Sequence, residues 1–80
     1  MHIYDLDTPA LVIDLDVLER NLREMAARCD GLGIALRAHT KTHKVPEIAR
    51  MQVEAGSAGI VCQKLGEAEV MARAGLDDIF

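Results

Sequence analysis

Basic and imidazole side chains crowd into one short polar segment, from Arg37 to Lys44. The segment follows a strand predicted at residues 34–37, and α/β folds place their active sites at the carboxyl ends of such strands. Neighbouring positive charge and desolvation both lower the pKa of a lysine, and a deprotonated lysine amine can attack a carbonyl carbon. Lys41 therefore has the surroundings expected of a Schiff-base lysine.

Three other interpretations of this segment stay open on spacing alone. A basic polar loop is most often simply solvated, and spacing by itself favours that interpretation. His39 and His43 could form a metal-binding pair, but the segment lacks helical periodicity and has no third ligand nearby. A phosphate-binding patch is the third interpretation, and the net charge of −4 weakens it.

Strands and helices are predicted to alternate along the rest of the chain. The predicted strands are 10–13, 34–37, 59–62 and one that begins at 78. The first helix is predicted to start at Asp16, with Glu19 in the capping-box position, and to run for about 14 residues. Pro46 suits the first turn of the second helix. The apolar positions assigned to the third helix are Leu65, Ala68 and Ala72.

This alternation predicts an α/β fold with parallel strands and helices packed outside, either an open doubly wound sheet or a closed (β/α)8 barrel. A complete barrel takes about 250 residues, and this chain has 80. We therefore expect residues 1–80 to be the N-terminal part of a truncated TIM-type barrel. Cys29 and Cys62 are expected to be small core residues.

Composition argues against several classes of function. The net charge is −4 and aromatic residues make up 2% of the chain, which disfavours nucleic-acid binding. No apolar run approaches the roughly 20 residues of a membrane span. The acidic N-terminal run and the two cysteines argue against an export signal and a disulfide framework, so a cytoplasmic location is expected.

Three segments of the chain resemble those of one enzyme family, in order and at matching spacing. They are Thr8–Asp16, His39–Lys44 and Cys62–Glu69. The family is the D-threonine aldolase and D-serine dehydratase branch of the fold-type III, alanine racemase-like, pyridoxal phosphate enzymes. The run His-Thr-Lys-Thr-His-Lys is the most specific part. Ala38 replaces the proline that the family usually has before the first histidine, which is expected to loosen the turn.

The resemblance implies that Lys41, rather than Lys44, forms the Schiff base with pyridoxal 5′-phosphate. Gln63, one residue past a predicted strand, would reach the cofactor ring or serve as a polar residue at a helix N-terminus. His43 would contact the cofactor or substrate, or orient the loop. Arg37 would point into the barrel mouth toward the cofactor, or outward to solvent, and the inward direction is favoured.

The resemblance also implies a complete enzyme larger than this chain. Residues 34–37 would be its first barrel strand, and residues 10–13 would pair with a C-terminal β-rich domain. A divalent metal of the zinc or manganese type would bind near the substrate hydroxyl, with ligands beyond Phe80. The full-length protein is expected to be a homodimer, and the fragment alone is expected to be inactive.

The expected reaction is retro-aldol cleavage of a β-hydroxy-D-amino acid, such as D-threonine, to glycine and an aldehyde. D-serine dehydration is the alternative within the same family. A non-catalytic protein that only binds pyridoxal phosphate is a further alternative. Each of these assigns the protein a small-molecule ligand and neither a nucleic-acid nor a membrane partner.

Overall fold

The fold was obtained as a computed structural model, which describes residues 2–80. Met1, the first residue of the acidic run used to argue against an export signal, lies outside the described residues. After a short 3-10 helix at Ile3–Asp5, the elements are α1 (Leu15–Gly31), β1 (Arg37–His39), α2 (Pro46–Ala55), β2 (Gly59–Val61) and α3 (Leu65–Arg73). The predicted alternation is therefore confirmed from α1 onward.

The two named strands form a parallel pair. The paired positions are Arg37 with Gly59, Ala38 with Ile60 and His39 with Val61. Ile79 adds a parallel bridge to Ile60, and the Ile60 amide donates to the Asp78 carbonyl at 3.0 Å. A further strand thus starts beside β2, as predicted from residue 78. Parallel strands that lie side by side in chain order, each joined by a helix, form the repeating unit of a β/α barrel.

The helices cover one face of this sheet. Ile60 is fully buried in a cluster with Ala49 of α2, Met71 of α3 and Leu76. Successive strand residues point to opposite faces, so Gly59 and Val61 lie on the face away from this cluster. The expectation for the cysteines is confirmed, since Cys29 is buried and Cys62 packs against the cluster. Within residues 2–80, no helix combines the length and apolar character that crossing a bilayer requires.

The strand predicted at residues 10–13 is wrong for this chain. These residues have no strand assignment, and the Leu11 side chain is 95% exposed. An apolar run becomes a strand only when another strand takes up its backbone hydrogen bonds. The described residues provide no such neighbour, since the sheet starts with β1.

The first barrel strand also begins later than predicted, at Arg37 rather than Ile34. The Ile34 amide still donates to the Cys29 carbonyl of α1 at 3.0 Å, so this part of the apolar run completes the helix end. Arg37 and His39, which we expected at or beyond the strand end, lie inside β1. The segment that follows the sheet therefore starts at Thr40.

The apolar face predicted for α3 needs a similar correction. Leu65 is 80% exposed and Ala72 is also exposed, whereas Met71 is fully buried and Ala68 half-buried. Leu65 is the first residue of α3 and lies near the sheet edge, before the part of the helix that packs on the sheet. The helix therefore turns the face containing Met71, rather than Leu65, toward the sheet.

The N-cap of α1 is Asp14 and not the predicted Asp16. The Asp14 carboxylate accepts from the Val17 amide at 3.1 Å. We expect Asp14→Ala to lower the free energy of unfolding by about 1 kcal/mol, because one helix-end donor loses its partner. Asp16→Ala is the matched control and should cost less, since Asp16 interacts only with the helix dipole. Urea denaturation measures both, and equal losses would contradict this cap assignment.

Candidate active site

A tight loop joins β1 to α2 and holds Lys41. The Lys44 amide donates to the Thr40 carbonyl at 2.8 Å, which closes the loop over the residues between them. Lys44 has φ 56, a left-handed conformation that is uncommon for residues other than glycine. The Lys41 amide donates to His39 Nδ1 at 3.2 Å. The loop is thus held at both ends, while the Lys41 side chain is exposed.

Gln63 lies at the same edge of the sheet as Lys41. His39 pairs with Val61, and Lys41 and Gln63 each stand two positions after these paired residues. Both side chains are exposed. Because parallel strands end at a common edge, the structure brings the amine and the amide to the region where β/α folds place their active sites.

His43 uses both ring nitrogens within the chain. The Val45 amide donates to His43 Nδ1 at 2.9 Å, so that nitrogen is the acceptor and the proton lies on Nε2. Nε2 then donates to Gln52 Oε1 of α2 at 3.1 Å. This geometry favours the loop-orienting role over direct contact with a cofactor. It also leaves His43 no free nitrogen for a metal.

Arg37 is placed apart from Lys41, at the amino end of β1. Its Nη1 atom lies 2.9 Å from Asp78 Oδ1 and donates to the carbonyls of Asp78, at 3.2 Å, and Ile60, at 3.3 Å. The guanidinium therefore crosses β2 and ties β1 to the next strand. The structure does not bring Arg37 together with Lys41 and Gln63, and a contact with a cofactor stays a prediction.

Sequence reasoning missed two residues that support the loop. Thr40 is fully buried, and its Oγ1 lies 2.9 Å from Glu67 Oε1 of α3. Glu67 stands inside one of the segments that carry the family resemblance, and its position in the first turn of a helix resembles that of an ordinary helix-start acid. No local pattern indicates that its partner is 27 residues away in sequence.

No cluster of three or more histidine, cysteine, aspartate or glutamate side chains that could hold a metal ion occurs in residues 2–80. In the pair considered from sequence, His39 Nδ1 accepts from the Lys41 amide and both nitrogens of His43 are engaged. The two imidazoles therefore act as hydrogen-bonding groups that shape the loop.

The architecture and the site together define the beginning of a β/α barrel that presents an exposed lysine at the carboxyl edge of its strands. Comparison with protein families agrees with this, since the model for the alanine racemase N-terminal domain matches residues 13–80. The chain belongs to the alanine racemase N-terminal domain family. The expected α/β fold class is thereby confirmed.

Characterised relatives narrow the branch within this family. The chain is 51% identical over 74 residues to a D-threonine aldolase of Arthrobacter sp., which covers 92% of this chain and 20% of that enzyme. It is 49% identical over 74 residues to a D-threo-3-hydroxyaspartate dehydratase of Delftia sp., with the same shares of 92% and 20%. The resemblance to the aldolase and dehydratase branch is confirmed.

A solved structure supports the same placement. The crystal structure of D-threonine aldolase from Filomicrobium marinum superposes with a TM-score of 0.93 at 48% identity, covering 96% of this chain and 21% of that one. The chain thus spans about a fifth of the length of the relatives it matches.

Proposed function

We propose that the protein containing this chain is a pyridoxal phosphate-dependent lyase of D-amino acids, with Lys41 as the residue that holds the cofactor. The observation that supports it most is the position of Lys41. An exposed amine on a closed loop at the carboxyl edge of parallel strands stands in a chain 51% identical to a D-threonine aldolase. The proposal concerns the full-length protein.

The side chains at this edge suit pyridoxal phosphate. Lys41 supplies a primary amine for covalent attachment to an aldehyde, and Gln63 supplies an amide that can donate to or accept from polar groups of the ring. When bound, the cofactor serves as an electron sink for a bond that breaks at Cα of the amino acid. His43 contributes indirectly, since its bonds to Val45 and Gln52 hold the loop against α2.

The preferred reaction is cleavage of the Cα–Cβ bond of a β-hydroxy-D-amino acid, which turns D-threonine into glycine and an aldehyde. The 51% identical relative is a D-threonine aldolase, and two further relatives, each 42% identical, are 3-hydroxy-D-aspartate aldolases. In this reaction Lys41 holds the cofactor in place until the substrate amine replaces it.

Dehydration is the second candidate, because a dehydratase is almost equally similar at 49% identity and D-serine dehydratases also match. In that reaction the Lys41 amine would take the proton from Cα, and the β-hydroxyl group would leave. The products would be an α-keto acid and ammonia. Both reactions would use the Lys41 amine at the same position. The site residues within this chain are therefore compatible with either reaction.

The remaining expectations become parts of this proposal. The rest of the barrel and a C-terminal β domain would be supplied by the full-length protein, as the fivefold longer relatives suggest. A divalent metal would bind outside residues 2–80, and a mutant of a D-threo-3-hydroxyaspartate dehydratase has been solved in a metal-free form. Homodimerisation and a cytoplasmic location stay predictions, and light scattering of the full-length protein tests the first.

Product analysis of the full-length protein tests the proposal. With D-threonine we expect glycine and acetaldehyde in large excess over α-keto acid and ammonia, and no turnover of L-threonine. Removal of divalent metal by a chelator should abolish turnover, and adding the metal back should restore it. An α-keto acid and ammonia as main products would favour the dehydratase. Bound pyridoxal phosphate without turnover of D-threonine, D-serine or 3-hydroxy-D-aspartate would indicate a non-catalytic binding protein.

A further inference from the structure

The Thr40 hydroxyl lies buried at the root of the loop that holds Lys41. Its Oγ1 atom is 2.9 Å from Glu67 Oε1 and 3.6 Å from Cys62 Sγ. It also lies 3.2 Å from the Val61 carbonyl, a second possible acceptor that also accepts from the Thr40 amide at 3.0 Å. The Glu67 carboxylate is the nearer of the two acceptors and the stronger one, so it is the preferred acceptor for the hydroxyl proton.

The chemistry of these groups sets the direction of the hydrogen bonds. An ionised carboxylate only accepts, so the Thr40 hydroxyl donates to Glu67. The Cys62 thiol can then donate its proton to Thr40 Oγ1. This chain of hydrogen bonds connects the end of β1, the end of β2 and the first turn of α3. A hydrogen bond to a charged acceptor away from solvent is stronger and geometrically more demanding than one between neutral groups.

The Glu67 carboxylate does not serve the helix in which it lies. The N-cap of α3 is Lys64, and that end of the helix has no side-chain cap hydrogen bond. An acid in the first turn ordinarily bonds the free amides there. Here the carboxylate reaches across to the neighbouring β/α connection instead, which points to a role in the loop rather than in the helix.

We propose that Thr40 and Glu67 are positioning residues for Lys41, an inference that rests on the proposed function. Thr40 immediately precedes Lys41, and its carbonyl accepts from the Lys44 amide. The hydrogen bond that closes the loop around Lys41 therefore ends on Thr40, and Glu67 holds the side chain of Thr40 in place. Holding the loop in one conformation lowers the entropy that Lys41 loses when it attaches to the cofactor.

The test uses the full-length protein and follows covalent attachment of pyridoxal phosphate to Lys41. Borohydride trapping at timed intervals, read by mass spectrometry, gives the rate. We expect Thr40→Val to slow attachment by about tenfold or more, the effect of losing a hydrogen bond to a charged group. Glu67→Ala should slow it similarly, and Thr40→Ser should restore it. The double variant should be no slower than the slower single variant, because both residues act through one bond.

Matched controls separate positioning from general stability. Thr42→Val and Glu69→Ala change exposed residues of the same types in the same loop and helix, and should leave the rate unchanged. Leu76 belongs to the core cluster and lies after the C-terminal end of α3, away from Glu67. Leu76→Ala should lower the stability of the protein but leave the attachment rate unchanged at temperatures well below the melting temperature of the variant. Because Glu67 is only half-buried, Glu67→Ala provides the test even if Thr40→Val does not fold.

Three results would overturn the inference. The first is attachment at the wild-type rate in Glu67→Ala or in folded Thr40→Val. The second is a double variant slowed by the product of the two single slowing factors. An equal slowing in Leu76→Ala is the third, since it would show that stability alone is responsible. If wild-type Lys41 itself acquires no label, the proposed function fails and this inference fails with it. Labelled wild-type protein with unaffected variants refutes only the positioning role.

Discussion

Replacing Lys41 with alanine is expected to abolish covalent attachment of pyridoxal phosphate and to reduce turnover of D-threonine by on the order of 1,000-fold or more. The alanine side chain has no amine, and the closed loop offers no substitute at that position. Lys44 is the nearest candidate, but it lies at the far end of the loop in a left-handed conformation, next to the start of α2 and facing α3. There Lys44 lines a cavity with Lys64, Glu67 and Met71.

Borohydride reduction followed by peptide mapping measures this prediction in the full-length protein. The wild type should have a pyridoxyl group on Lys41, and Lys41→Ala should have none on any residue. Lys44→Ala is the matched control, because it removes an amine from the same loop and should keep both label and turnover within a few-fold of wild type. A label that persists in Lys41→Ala would refute the assignment of the lysine.

The largest expected effect on stability comes from adding a single methyl group at Gly59. A Cβ atom there would lie 2.5 Å from Arg37 Nη1 and 2.5 Å from the Asp78 carbonyl oxygen. The arginine could shift, but that oxygen accepts from the Ile60 amide at 3.0 Å and is fixed by the sheet. We therefore expect Gly59→Ala to lower the free energy of unfolding by about 3 kcal/mol through overpacking.

Urea denaturation of Gly59→Ala beside Gly66→Ala measures this effect. Gly66 lies in α3, and apart from its chain neighbours and the backbone of its own helix no atom lies within 4 Å of the position its Cβ would take. Alanine there should raise stability by about 0.5–1 kcal/mol, because glycine is a poor helix residue. Wild-type stability in Gly59→Ala would show that the strands separate easily at this end of the sheet.

Local sequence patterns were sufficient for the existence and order of α1, α2 and α3, although not for the N-cap of α1 or the buried face of α3, and they identified the segment around Lys41 as the candidate site. Apolar residues at helical spacing, Pro46 at a helix start and glycines at helix ends depend only on neighbours within a few positions. The segment around Lys41 is likewise recognisable from its own residues and from its resemblance to the aldolase and dehydratase branch. For these features the determinants are close together in sequence, so the sequence alone specified them.

Tertiary structure decided where the sheet begins and what each polar side chain near the site contacts. β1 starts at Arg37 because that residue meets Gly59 across the ladder, and Thr40 is buried because Glu67 approaches it from α3. The carboxylate and carbonyl groups of Asp78 that contact Arg37 lie 41 residues away in sequence. Contacts over such separations form only when parallel strands come together across a helical connection, and no local pattern encodes which side chains then meet.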